Sequence, residues 1–206
     1  MLELLPVFHG LLPQGGLRRG STVATGGGAA MSLALALAAG PSAAGSWLAV
    51  VGLPSVGLAA AAELGVALER VFLVAEPPVR QWAEVVAAAA EGAEVVLARA
   101  PDAVRAAEVR RVQARLQARG AVLILAGPTA GWGPDLELTA TPLAWEGIGD
   151  GHGRLLARRV RVALDGRRAG RPVERDYWLP GPEGRVAEAG APAVALRPRA
   201  RPLAAG

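Results

Sequence analysis

From about residue 20 to residue 126, short apolar runs alternate with stretches of helical period, and this alternation constrains the fold more than any other feature of the chain. Ser21 to Thr25, Ser46 to Val51, Arg70 to Val74, Glu94 to Ala98 and Ala121 to Ala126 have the length and composition of strands. Between them lie helical patterns over Ala29 to Ala39, Val56 to Leu68, Val79 to Glu91 and Asp102 to Arg119. Gly40-Pro41 reads as the stop of the first helix and Gly120 as the cap of the last. Strands joined through helices run parallel, with right-handed crossovers. The expectation is an α/β fold, doubly wound, with a mostly parallel sheet flanked by helices.

After Gly127 the period changes. Leu136 to Thr141, Ala144 to Ile148, Arg154 to Leu164 and Pro172 to Leu179 show alternation and turns, and Asp165-Gly166 marks a hairpin between the last two. These segments are expected as antiparallel strands that extend the sheet at its C-terminal end. From Gly181 onward Gly, Pro, Ala and Arg recur without period, so 1–180 reads as one core domain and 181–206 as a disordered tail.

Composition narrows the chemistry. With no cysteine among 206 residues, disulfides, thiolate metal sites and cysteine nucleophiles are excluded together. The longest apolar stretch, Trp47 to Leu68, is broken by Gly52, Pro54, Gly57, Glu63 and Gly65, which argues against a membrane span, and the start of the chain lacks the basic region of a secretory signal. A cytoplasmic location is the expectation. All 22 basic residues are arginine, which lifts the isoelectric point to about 11.0 although the net charge is only +4. That balance alone is weak evidence for nucleic-acid binding. His9 and His152 are the only imidazoles, and Asp150-Gly151-His152 reads as a turn. No metal and no cofactor is expected.

The order of these elements resembles the RecA/RadA core. Gly15-Gly16-Leu17-Arg18-Arg19-Gly20-Ser21-Thr22-Val23 looks like the approach to its P-loop, Leu64-Gly65-Val66 with Arg70 to Val74 is similar to its next helix and strand, and Gly153-Arg154 through Tyr177-Trp178-Leu179-Pro180-Gly181-Pro182-Glu183-Gly184 is like its late hairpin. Within that superfamily the chain resembles the ImuA-type proteins, RecA-like accessory factors of SOS-induced mutagenic translesion synthesis. Leu12 to Gly20, Gly40 to Trp47 and Trp145 to Arg154 carry that likeness. The resemblance implies a role in DNA repair beside an ImuB-type polymerase relative, with weak DNA contact as a further expectation.

The same resemblance implies that the ATP chemistry has been lost. A P-loop cradles phosphate with backbone N–H groups and completes the site with Lys and Ser/Thr. Here the turn is Thr25-Gly26-Gly27-Gly28-Ala29-Ala30-Met31-Ser32-Leu33, and the lysine position falls on Ser32 or Leu33. Ser32 is either a vestigial hydroxyl ligand or a serine that faces solvent or caps its own helix. The position of the water-activating glutamate falls on Leu53, which cannot take a proton. The Walker B aspartate falls on Arg99, whose charge repels Mg²⁺. The expectation is a non-catalytic scaffold acting through protein contacts; the alternatives are a residual nucleotide-binding regulator and a single-stranded-DNA-binding module.

For a contact surface, the late hairpin is rich in arginine: Arg158, Arg159, Arg161, Arg167, Arg168 and Arg171, with Arg159 and Arg161 on one strand face. They suit phosphates or an acidic partner, or simply a solvated edge that resists aggregation. Trp132, between Gly131 and Gly133, suits base stacking, a partner anchor or burial beneath its own loop.

Overall fold

The computed structural model describes residues 1–129, 131–149 and 152–190, with the backbone alone at 148, 149 and 152. Two short strands near the N-terminus, β1 (Leu2–Glu3) and β2 (Gly16–Leu17), pair with each other. The core follows as β3 (Thr22–Gly26), α1 (Ala30–Ala43), β4 (Leu48–Val51), α2 (Leu58–Glu63), β5 (Val71–Val74), α3 (Trp82–Gly92), β6 (Val95–Ala98), α4 (Ala106–Arg119) and β7 (Val122–Ala126). The chain continues as β8 (Leu136–Gly149), β9 (His152–Asp165), β10 (Val173–Trp178) and β11 (Ala187–Glu188). Among the described residues one nine-stranded sheet runs β11-β10-β9-β8-β3-β7-β6-β4-β5. From β8 to β5 the pairs are parallel, and β9, β10 and β11 add the antiparallel strands expected after Gly127; Leu136 to Thr141, expected to be antiparallel too, runs parallel to β3 on one side and antiparallel to β9 on the other.

The sheet separates two apolar layers. On one face α1, α2 and the N-terminal segment bury Leu33, Leu37, Val23, Ile124, Val160, Val162 and Tyr177; on the other α3 and α4 cover Val51, Val96, Leu123 and Leu125. The central strands are apolar on both faces, which is why they read as continuous Leu/Val runs rather than alternating ones. No helix among the described residues is long and apolar enough to cross a membrane.

Besides α3 and α4, which start at Trp82 and Ala106 rather than at Val79 and Asp102, four boundaries differ from those expected. α1 passes through Gly40-Pro41 and ends at Ala43. Gly40 is there for a close approach, not for a stop: a Cβ on it would lie 2.6 Å from Leu4 C and Leu5 N, where the N-terminal segment crosses the helix. α2 is shorter than its apolar pattern, because Gly65 takes φ +103° and leaves the helical region. The segments at Leu136 and Ala144 are one strand, β8, with register shifts at Pro142/Ala144 and Glu146/Ile148. The turn at Asp150-Gly151 lies outside the described residues.

The fourth correction concerns the tail. The chain is ordered past Pro180: Gly181 N–H donates to the Arg185 carbonyl (2.8 Å), and β11 pairs with β10 through Tyr177 opposite Glu188. Backbone pairing overrides the weak local pattern there. Residues 191–206, the rest of the expected tail, lie outside the described residues.

Tyr177 packs within the layer of α1 and the N-terminal segment, fully buried with its ring 5.2 Å from Phe8 in an edge-on contact. Its hydroxyl has no hydrogen-bond partner among the described residues, and burial pushes its pKa up to about 12. An unsatisfied buried hydroxyl costs about 1–3 kcal/mol. Tyr177→Phe is therefore expected to leave stability unchanged or raise it by about 1 kcal/mol. Urea denaturation checks this, and a loss of stability in the phenylalanine variant would show that the hydroxyl is bonded.

Candidate functional site

The glycine turn between β3 and α1 consists of Gly27-Gly28-Ala29 alone. A phosphate cradle of the G-x-x-x-x-G-K type needs a longer loop to wrap its N–H groups around an anion. Here strand β8 lies against the turn instead. A Cβ on Gly27, whose φ is +83°, would collide with the Ala140 carbonyl oxygen, and one on Gly28 would lie 3.1 Å from the Pro142 ring. The Ala29 N–H donates to Ala140 O (3.1 Å) and the Ala30 N–H to Gly27 O (3.1 Å). Donors that a nucleotide phosphate would use are thus bonded to the chain itself. Gly26, by contrast, has open space around its Cβ position.

Of the two positions expected for the missing lysine, Leu33 is fully buried in the core and takes no polar role. Ser32 is neither a solvent-facing serine nor a cap of its own helix: its Oγ accepts a hydrogen bond of 2.7 Å from Arg158 Nη2. Arg158 is therefore not the exposed contact expected from the sequence. It retains 9% of its accessible surface, and its Nε donates to the Leu179 carbonyl (2.8 Å). Its guanidinium carbon stands 5.1 Å from the centre of the Trp145 ring. Among the described residues no carboxylate pairs with it, and burial lowers its pKa from the ordinary arginine value. A positive charge at the N-terminal turn of α1 also opposes the helix dipole. The hydrogen bonds and the aromatic face hold it there.

Leu53, at the expected glutamate position, is buried in the core cluster of α1 and α2. Arg99, at the expected Walker B position, is exposed at the end of β6, and its backbone carbonyl accepts from Trp82 Nε1 (2.8 Å). β7 lies between β6 and β3, so Arg99 and the glycine turn end non-adjacent strands. A cleft of about 370 Å³ opens beside the turn, lined by Thr25, Gly26, Gly27, Gly127, Pro128, Thr129, Glu137 and Thr139. Its one charged side chain is a carboxylate, the wrong sign for a triphosphate. Among the described residues no group of three or more His, Asp or Glu stands where a metal ion could be held.

The proposed contact residues scatter. Trp132 is 2% exposed and packs edge-on against Trp82, with ring centres 5.5 Å apart; burial, not base stacking or a partner, is its role. Arg159 and Arg161 do share an exposed face, yet both are held by Asp176 of β10, at 2.8 Å each. The Arg161 hydrogen bond is the main reason that the Asp176 carboxyl lies below its ordinary pKa. Arg168 pairs with Asp135 (2.8 Å), whereas Arg167 donates to the Gly133 carbonyl. Arg171 is exposed and makes no ion pair among the described residues. The surface that sequence reasoning missed is the outer part of the β8–β9 hairpin, where Leu143, Trp145 and Leu155 are 44%, 45% and 50% exposed. The apolar character of these residues within a projecting hairpin was the available signal.

Comparison with known proteins fits this geometry. The crystal structure of the RadB recombinase superposes on 91% of the chain and 99% of its own length, with a TM-score of 0.66 and 13% sequence identity. At that identity the likeness is one of fold, and the fold is RecA-like, with antiparallel strands at its C-terminal end. No curated protein matches the sequence. The family profile described as the MT3502 N-terminal domain matches residues 10–132.

Proposed function

We propose that this chain, which belongs to the MT3502 N-terminal domain family, is a non-catalytic RecA-like scaffold of DNA repair. One observation carries the reading: the chain fills its own glycine turn, with Ala140 and Pro142 of β8 against the glycines and Arg158 bonded to Ser32. A site built this way has little to offer a nucleotide, so the rigid sheet serves as a platform. Asp176 offsets one of the two charges of Arg159 and Arg161 and ties both side chains to β10, which weighs against DNA binding as the main activity. By its resemblance to ImuA-type accessory factors, the partner is an ImuB-type polymerase relative in translesion synthesis. Exposed apolar side chains on a projecting hairpin suit a protein partner, so we assign that contact to Leu143 and Leu155.

The test pairs a melting experiment with co-purification. A ligand that binds only the folded state raises the melting temperature, so millimolar ATP with Mg²⁺ is expected to leave it unchanged. Co-expressed ImuB-type protein is expected to co-purify without nucleotide, and Leu143→Asp/Leu155→Asp to abolish that capture while melting normally. An upward shift with ATP, lost on Gly27→Val, overturns the non-catalytic reading. Failure of the wild-type chain to hold the polymerase relative overturns the partner.

A further inference from the structure

The two edges of the sheet are built differently. At one end β11 is only two residues long and follows a strand carrying Glu174, Arg175 and Asp176, the kind of short, charged edge that discourages pairing. At the other end, among the described residues, β5 is the last strand, and its sequence Val71-Phe72-Leu73-Val74 has no charge, no proline and no bulge. Leu73 on it is 55% exposed, and Leu68 and Trp47 nearby are 39% and 41% exposed. An open, apolar edge of this kind templates another strand.

We propose that the chain forms a two-fold dimer in which β5 pairs antiparallel with β5 of a second copy, Leu73 opposite Leu73. Backbone geometry limits the choices. The Val74 carbonyl accepts from Gly52 N–H on the β4 side (3.1 Å), so Phe72 and Val74 face inward, and the N–H and C=O groups of Val71, Leu73 and Ala75 point out of the sheet. Opposite residues of an antiparallel pair are both bonded or both unbonded, so an outward residue must meet an outward one. Registers that set Phe72 opposite Leu73 are thereby excluded. Centring on Phe72 leaves Glu76 opposite Leu68, and centring on Val74 sets it opposite Phe72. Centring on Leu73 brings Arg70, the last residue of the helical turn Leu68–Arg70 just before the strand, nearest to Glu76 of the second copy, twice by symmetry; within its own chain Arg70 Nη1 donates to the Gly45 carbonyl (3.1 Å), a bond that the ion pair would join or replace. Neither side chain has an ion-pair partner among the described residues. Pro77 and Pro78 end the pairing just beyond. The interface is isologous and closed, so it stops at two copies rather than growing a filament. It stands apart from the scaffold role and from the hairpin surface.

Because the chain has no cysteine, a single Leu73→Cys reads the register directly. Bonded antiparallel partners lie about 5.5 Å apart at Cα, inside the range of about 4.4–6.8 Å that a disulfide spans. Oxidised Leu73→Cys is expected to run as a covalent dimer, and Glu69→Cys is expected to remain monomeric. In sedimentation the wild type is expected as a dimer, and Leu73→Lys as a monomer with unchanged circular dichroism. Arg70→Glu is expected to weaken association about tenfold, and Arg70→Glu/Glu76→Arg to restore it. A wild type that stays monomeric at about 100 µM overturns the proposal. So does a dimer that survives Leu73→Lys, a charge exchange that fails to rescue, or equal cross-linking through Glu69→Cys.

Discussion

Trp132→Ala is expected to destabilise the fold by about 3–5 kcal/mol, the range for truncating a buried tryptophan or phenylalanine. The indole closes the layer formed by α3, α4 and the strands beneath them, 2% exposed and edge-on to Trp82. Trp82 is in turn fixed by its hydrogen bond to the Arg99 carbonyl, so removing its neighbour opens a cavity that the layer cannot readily collapse. In a chain of this size each kcal/mol lowers the melting temperature by about 2–4 °C, so the loss is visible by calorimetry. Trp132→Phe, which keeps most of the packing and discards an indole N–H with no partner among the described residues, is expected to lose less than half as much. A shift below about 1 kcal/mol in the alanine variant would contradict the packing role.

Gly40→Val is expected to act at a distance, on the N-terminus. The new Cβ would meet Leu4 C and Leu5 N at 2.6 Å and Glu3 O at 2.8 Å, backbone atoms that a flexible side chain cannot swing away from. Relief requires the N-terminal segment to leave α1, exposing Leu2, Leu4 and Phe8 and breaking the β1–β2 pair. A loss of about 3 kcal/mol is expected, at the upper end of overpacking costs because the burial of that segment goes too. Limited trypsin digestion checks it: cleavage at Arg18 or Arg19 is expected to be fast in the variant and slow in the wild type. Gly26→Ala, made where a Cβ meets nothing within 4 Å, is the control and is expected to show the wild-type pattern.

The strand and helix alternation was legible because Leu and Val runs of strand length sit between patterns of helical period, and tertiary packing agreed with that local preference. What the sequence hid was decided by chain crossing. Nothing near Gly40 announces that residues 3–5 lie across it, so the local rule for Gly-Pro gives a helix stop that the fold does not make. At the candidate site the sequence shows which residue types stand at Ser32, Leu33 and Leu53, but the approach of Ala140 and Pro142 depends on β8 lying beside β3, a pairing between segments far apart in the chain. Arg158 had a signal that went unused. Counting by twos from Val160, Val162 and Leu164 places it on their face, which is the core face, whereas Arg159 and Arg161 alternate to the outside. Asp176 could be recognised as their partner only once β10 lay next to β9.

The position of β3 sets the order in which this protein can be completed as it leaves the ribosome. β3 is among the first strands made, yet it lies within the sheet, between β7 and β8. Its bonds reach Leu125 across 100 residues and Asp135 across 113, and Ser32 waits for Arg158 across 126. β3 therefore emerges with both edges unpaired and stays so until β7 and β8 have been synthesised, the interval in which an exposed strand is most prone to wrong pairing. The turn between β3 and α1 packs against Ala140 and Pro142, so its surroundings are complete only once the later half of the polypeptide has been made.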